Sequence, residues 1–99
     1  AVKWYTKSAE QGYVFAQNNL GYCYRLGLAV EPNAKEAFRW YQKAAEAEDA
    51  WGQYNLGMSY HMGIGVEKNE AEARQWFAKA AKQGHKAAND ELMALQKSP

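Results

Sequence analysis

The sequence predicts an all-α fold, a right-handed α-solenoid of antiparallel helix pairs with a 36-residue period and about six helices. Three observations carry that prediction. The 99 residues include 18 Ala but only one Ile, four Val and one Thr, a composition too poor in β-branched side chains for a sheet. The chain repeats itself at an offset of 36: Trp4-Tyr5, Trp40-Tyr41 and Trp76-Phe77 align, as do Lys7, Lys43 and Lys79, and Ala9, Ala45 and Ala81. Within each copy, apolar residues recur every three or four positions in two stretches separated by a glycine-containing loop. Short loops pair helices antiparallel, and stacked copies of a pair wind into a solenoid.

The first helix is predicted over Val2 to Gln11, the second half of a pair, ending at Gly12, where a left-handed residue closes the helix. The next, Tyr13 to Leu26, carries Ala16, Leu20 and Tyr24 on one face and Phe15 and Tyr22 on another, and stops at the loop from Gly27 to Pro32. Asn33 then caps a helix over Ala34 to Ala47, with Glu36 three positions on as in a capping box. Ala50 to Met62 repeats the earlier pattern: Asn55-Leu56-Gly57 falls on Asn19-Leu20-Gly21, Tyr60 on Tyr24 and Gly63 on Gly27. Asn69 and Glu72 open a fifth helix, Glu70 to Gln83, closed by Gly84. His85 to Lys97 is the sixth, with Met93 where Gly is expected and Gln96 where Tyr is expected, beside Asp90, Glu91 and Lys97, as suits a polar cap.

The expected organisation is a single repeat domain: 1–12 as the second helix of a truncated unit, 13–48 and 49–84 as full units, and 85–99 as a capping helix. A chain that opens mid-unit reads as the C-terminal part of a longer array, and the apolar face left on Val2 to Gln11 as a surface for self-association. Gly21 and Gly57 lie inside helices, where Gly costs about 1 kcal/mol relative to Ala. Close helix packing is therefore expected there, with Ala44-Ala45 and Ala80-Ala81 opposite. Trp40, Tyr41, Trp76, Phe77, Tyr24 and Tyr60 are expected in the core.

The residues Ala16-Gln17-Asn18-Asn19-Leu20-Gly21-Tyr22-Cys23-Tyr24, Gly27-Leu28-Ala29-Val30, Lys35-Glu36-Ala37, Trp40-Tyr41 and Lys43-Ala44-Ala45 together resemble the Sel1-like repeat. Gly63-Ile64-Gly65-Val66 gives the full loop form, and Lys79-Ala80-Ala81-Lys82-Gln83-Gly84 the full end of a unit. Two departures fall at one junction: Ala47-Glu48 replaces Gln-Gly, and Gly52 takes the expected Ala position. The tetratricopeptide family is a neighbour with a 34-residue unit and a shorter loop. The resemblance implies a non-catalytic scaffold for protein–protein interaction, of the kind found in bacterial signalling, envelope and host-contact systems and in eukaryotic quality control. A cysteine-rich branch of the family is associated with binding or hydrolysing β-lactams and pairs cysteines within each repeat; a chain with Cys23 alone does not fit it.

In a curved stack the first helices of each pair line the concave side. That places Phe15, Asn18, Tyr22 and Arg25 toward the hollow, Trp51, Tyr54, Met58 and His61 at the matching positions of the next unit, and Asn19 and Asn55 at its border. Ala87, Asp90, Met93 and Gln96 continue the line. An aromatic face with a few hydrogen-bonding groups and one cation suits a protein or peptide partner. The same residues have a purely structural reading, with Trp51 or Phe15 packing on a neighbouring repeat and the Asn pair bonding backbone carbonyls.

Other chemistry lacks its residues. Twelve basic against 11 acidic side chains give no electrostatic reason to expect nucleic acid. A mean hydropathy of −0.69 and the lack of a long apolar run exclude a membrane span. His61 and His85 have no ligand mate at metal spacing, Ser8 and Ser59 lack a Lys three positions on, and Gly63-Ile64-Gly65 lacks the third Gly of a dinucleotide fingerprint. Cys23 aligns with Ser59 and reads as a small-residue site, and both histidines as surface or groove residues. No cofactor or metal is expected. The competing readings are a β-lactamase-like or cell-envelope hydrolase, which needs a nucleophile and base in a cleft, and a passive spacer in a longer repeat protein. The compartment stays open: a single cysteine is compatible with the cytoplasm, and a chain that opens mid-unit leaves periplasmic or secreted locations open too.

Overall fold

The computed structural model describes residues 2–97; the side chains of Val2, Gln96 and Lys97 lie outside the description, and with them the expected roles of Val2 and Gln96. Six helices make up the described chain: α1 (Val2–Glu10), α2 (Val14–Leu26), α3 (Ala34–Glu46), α4 (Ala50–Met62), α5 (Glu70–Lys82) and α6 (Lys86–Lys97). Each packs antiparallel on its chain neighbour, and α2 also touches α4, so the first helices of successive pairs adjoin along one side of a right-handed solenoid. The body measures 43 × 24 × 16 Å. Five residues expected inside helices stand just outside them: Gln11 follows α1, Tyr13 precedes α2, Ala47 follows α3, Gln83 follows α5 and His85 precedes α6.

The caps follow from side-chain chemistry, with one difference from expectation. Asn33 and Asn69 accept from the backbone N–H of Glu36 and Glu72, each at 3.1 Å. The reciprocal half of a capping box is missing because the asparagine N–H groups are already used: Asn33 donates to the Tyr24 carbonyl at 2.8 Å and Asn69 to that of Tyr60 at 2.9 Å. Those two bonds tie the loop back onto the end of the preceding helix. Glu36 turns outward to Arg39 instead, at 3.2 Å. At the junction where Ala47-Glu48 replaces Gln-Gly the turn is preserved, since Glu48 takes a left-handed φ of 63° where Gly12 and Gly84 have 96° and 89°.

The core forms three successive clusters between helix layers. Ala9, Ala16, Leu20 and Trp40 make the first, Ala37, Tyr41, Ala45 and Leu56 the second, and Ala73, Phe77, Ala80 and Ala88 the third. Tyr24, Tyr60 and Trp76 pack against these clusters half-buried. The helix glycines do permit close approach, but to different neighbours from those expected. A Cβ on Gly21 would lie 2.7 Å from Tyr41 Cε1, and one on Gly57 2.8 Å from Phe77 Cδ1. The stagger of the antiparallel helices sets an aromatic ring, not Ala44-Ala45 or Ala80-Ala81, over each glycine. Gly52 is the residue that meets Ala44 and Ala45, where a Cβ would lie 2.6 Å from Ala44 Cβ. In repeat register Met93 of α6 stands where Gly21 and Gly57 stand.

Candidate functional site

The ten residues expected on the concave face all belong to α2 or α4. Helical spacing puts Phe15, Asn18, Tyr22 and Arg25 on one face of α2, and Trp51, Tyr54, Met58 and His61 on the matching face of α4. The structure separates them into pinned and free groups. Asn18 Nδ2 donates to Asp49 Oδ2 at 2.8 Å, and the same oxygen caps α4 by accepting from the Gly52 N–H at 2.8 Å. Asn55 donates to Asn18 Oδ1 at 3.5 Å, and Asn19 to the Phe15 carbonyl of its own helix at 2.9 Å. Asn18 and Asn55 therefore spend hydrogen bonds on the joint between repeats, and Asn19 on its own helix.

Arg25 is half-buried and hydrogen-bonds the Tyr41 hydroxyl; burial raises the Tyr41 pKa, and the guanidinium opposes that shift. At the equivalent place in the next unit, His61 Nδ1 meets Glu70 Oε1 at 2.7 Å, and its ring lies edge-on to Phe77. Met58 is half-buried against the third core cluster. Tyr54 is half-buried too, stacked on His85 with centroids 4.9 Å apart. Burial raises its pKa, Glu91 adds to the shift and Arg25 opposes it.

His85 corrects the expectation of a surface histidine. It is buried, its Nδ1 caps α6 by accepting from the Ala88 N–H at 3.1 Å, and Trp51 meets it edge-to-face at 4.3 Å. Burial lowers its pKa, with Asp49 pulling the other way. The neutral ring is the form that can accept at Nδ1. The one signal for this in the sequence is position, because His85 falls in register with Asp49, the cap of α4.

What stays most exposed is aromatic. Phe15 is 73 % exposed, Trp51 59 % and Tyr22 49 %. Phe15 and Trp51 are repeat equivalents, and Tyr22 lies two turns along α2 from Phe15 on the same face. Farther along, Ala87 is half-buried, and Asp90 and Met93 are exposed. Among the described residues no group of three or more His, Cys, Asp or Glu is placed to hold a metal, and no helix is long and apolar enough to cross a membrane. Cys23 is a half-buried free thiol.

A sequence search of curated proteins returns no match. Solved structures do match, all three described here being bacterial. A protective antigen of uropathogenic Escherichia coli displaying an SLR fold superposes with a TM-score of 0.88 at 42 % identity over 92 % of this chain and 20 % of its own. A Sel1 repeat protein from Oxalobacter formigenes gives 0.83 at 48 % identity over 86 % of this chain and 35 % of its own. Helicobacter pylori cysteine rich protein B gives 0.85 at 31 % identity over 92 % and 68 %. This chain thus spans about a fifth and about a third of the first two. The Sel1 repeat model matches residues 1–13, 14–49 and 52–85, nearly the whole run of helix pairs described above, and the chain belongs to the Sel1 repeat family.

Proposed function

We propose that this protein is a non-catalytic scaffold that binds a peptide or protein segment along the α2/α4 face, with Phe15, Tyr22 and Trp51 as anchors. Sel1 repeat proteins are generally scaffolds for protein interaction and are typically non-catalytic. The observation that carries the reading here is the exposure of three large aromatic side chains on one helical face whose polar neighbours are already bonded within the fold. Aromatic groups on a rigid backing lose little conformational freedom on binding and dominate interface energetics. Arg25 and His61 would flank the bound segment, and Asn18 and Asn55 would hold the two helices in register beneath it.

The test is affinity selection of peptides on the wild-type protein, followed by titration against Trp51→Ala and Tyr22→Ala. Each variant is expected to keep its helical content and to lose about 2 kcal/mol of affinity, roughly thirtyfold. Folded variants that bind as tightly as wild type would leave the spacer reading in place of this one.

A further inference from the structure

Away from the aromatic face, and sharing no residue with it, the repeat builds one crevice twice. The first, about 360 Å³, is lined by Ala9, Gly12, Gln17, Trp40, Lys43 and Glu46. The second, about 560 Å³, is lined by their equivalents 36 residues on, among them Glu48, Gln53, Trp76 and Lys79. Gln83 reaches into the second: its Nε2 donates to Gln53 Oε1 and to the Glu48 carbonyl, each at 2.9 Å. In the first crevice the position of Gln83 belongs to Ala47, whose methyl group donates nothing.

The consequence is visible in two side chains. Gln17 Nε2 donates to the Ala9 carbonyl at 3.1 Å, which fixes the amide orientation and leaves Oε1 buried without a donor. Trp40 Nε1, also buried, has no acceptor. Gln17 is 6 % exposed and Trp40 3 %. Buried polar groups in native proteins are nearly always paired, and two unpaired ones on residues that line a single crevice point to a further group there. A single group serving both atoms would donate to Gln17 Oε1 and accept from Trp40 Nε1. A carboxylate offers no donor to the first, and an ammonium no acceptor to the second. A hydroxyl and a carboxamide each offer both, and the carboxamide is favoured because its donor half repeats the bond that Gln83 makes to Gln53 within the chain.

We propose that this crevice binds the carboxamide of a glutamine side chain carried by a partner polypeptide. Entry requires the rim to move, because both atoms are shielded from solvent. The rim carries the exposed side chains of Arg39 and Lys43, which lie over the Trp40 ring with their charged ends 4.6 and 6.0 Å from its centroid.

The experiment follows the indole N–H of Trp40 in ¹⁵N-labelled full chain, assigned by its loss in Trp40→Phe. The probe is N-acetyl-glutamine N-methylamide, and the control is the matching glutamate γ-methyl ester, which accepts but lacks the side-chain N–H donor. The amide is expected to shift the Trp40 signal saturably, the ester to bind at least tenfold more weakly, and Ala47→Gln, which supplies the amide in cis, to weaken the probe at least tenfold. An unmoved signal, equal binding of the ester, or undiminished binding by Ala47→Gln would overturn the proposal. So would an indole N–H whose cross-peak to water persists at saturating probe, since the crevice would then hold trapped water only.

Discussion

Tyr54 stacks on His85 with ring centroids 4.9 Å apart, at the place in the repeat where Asn18 donates to Asp49 at 2.8 Å. Both contacts join a residue of one first helix to the cap of the next, so the same joint is made by a hydrogen bond between α2 and α4 and by aromatic stacking between α4 and α6. The two joints differ in how they respond to solution conditions, since one of them contains a titratable ring.

His85 is held neutral, with a pKa lowered by burial against the opposing pull of Asp49. The unfolded chain, with an ordinary histidine value near ~6.5, therefore takes up the proton first. Stability is fully present above that value, falls as the pH drops through it, and stops falling below the folded-state pKa. Protonation also removes the Nδ1 acceptor that caps α6. Thermal denaturation at pH 8 and pH 5 is expected to show a larger loss for wild type than for His85→Asn, which caps without titrating. Equal losses would remove His85 as the source.

Gly57→Ala sets two effects against each other. Helix propensity alone favours Ala by about 1 kcal/mol. The new Cβ would sit 2.8 Å from the buried ring of Phe77, and overpacking of that kind costs about 1–3 kcal/mol. A net destabilisation in urea denaturation is expected, with Gly21→Ala behaving alike against Tyr41. A stabilised variant would show that the ring yields.

Glu48 holds a left-handed φ of 63° with a full side chain, where Gly12 and Gly84 occupy the equivalent turns. Glu48→Gly is expected to relieve about 1 kcal/mol, partly offset by the freedom Gly gains in the unfolded chain. The melting temperature should rise by a few degrees. Ala29, at φ 63° where the next unit has Gly65, predicts the same sign.

Trp4 is 63 % exposed whereas its repeat equivalent Trp40 is 3 % exposed. An indole this exposed on α1 is expected to drive self-association of this chain, seen as a weight-average mass that rises with concentration in sedimentation equilibrium. Trp4→Arg should restore a constant monomer mass. A wild-type mass independent of concentration would count against the role of this face.

The period made most of the fold legible. Once Trp4-Tyr5, Trp40-Tyr41 and Trp76-Phe77 are aligned, helix positions, the asparagine caps and the aromatic core follow from residues a few positions apart. What failed depended on stagger or on distant partners. Which residue faces Gly21 is set by how far α3 slides along α2, and a sequence with Tyr41 and Ala44-Ala45 within one turn does not say. On the candidate face, the spacing that groups Phe15, Tyr22 and Trp51 was readable from helical periodicity. The engagement of Asn18 was not, since Asp49 lies 31 residues away, and the burial of His85 was missed because His is not among the common caps.

Met93 sets α6 apart from α2 and α4. Where Gly21 and Gly57 leave a socket for the ring of Tyr41 or Phe77, α6 presents a thioether that is 47 % exposed and receives a contact from Asn89 at 3.7 Å. A second copy offering its Tyr5 to α6 in the same register would meet that thioether instead of an opening.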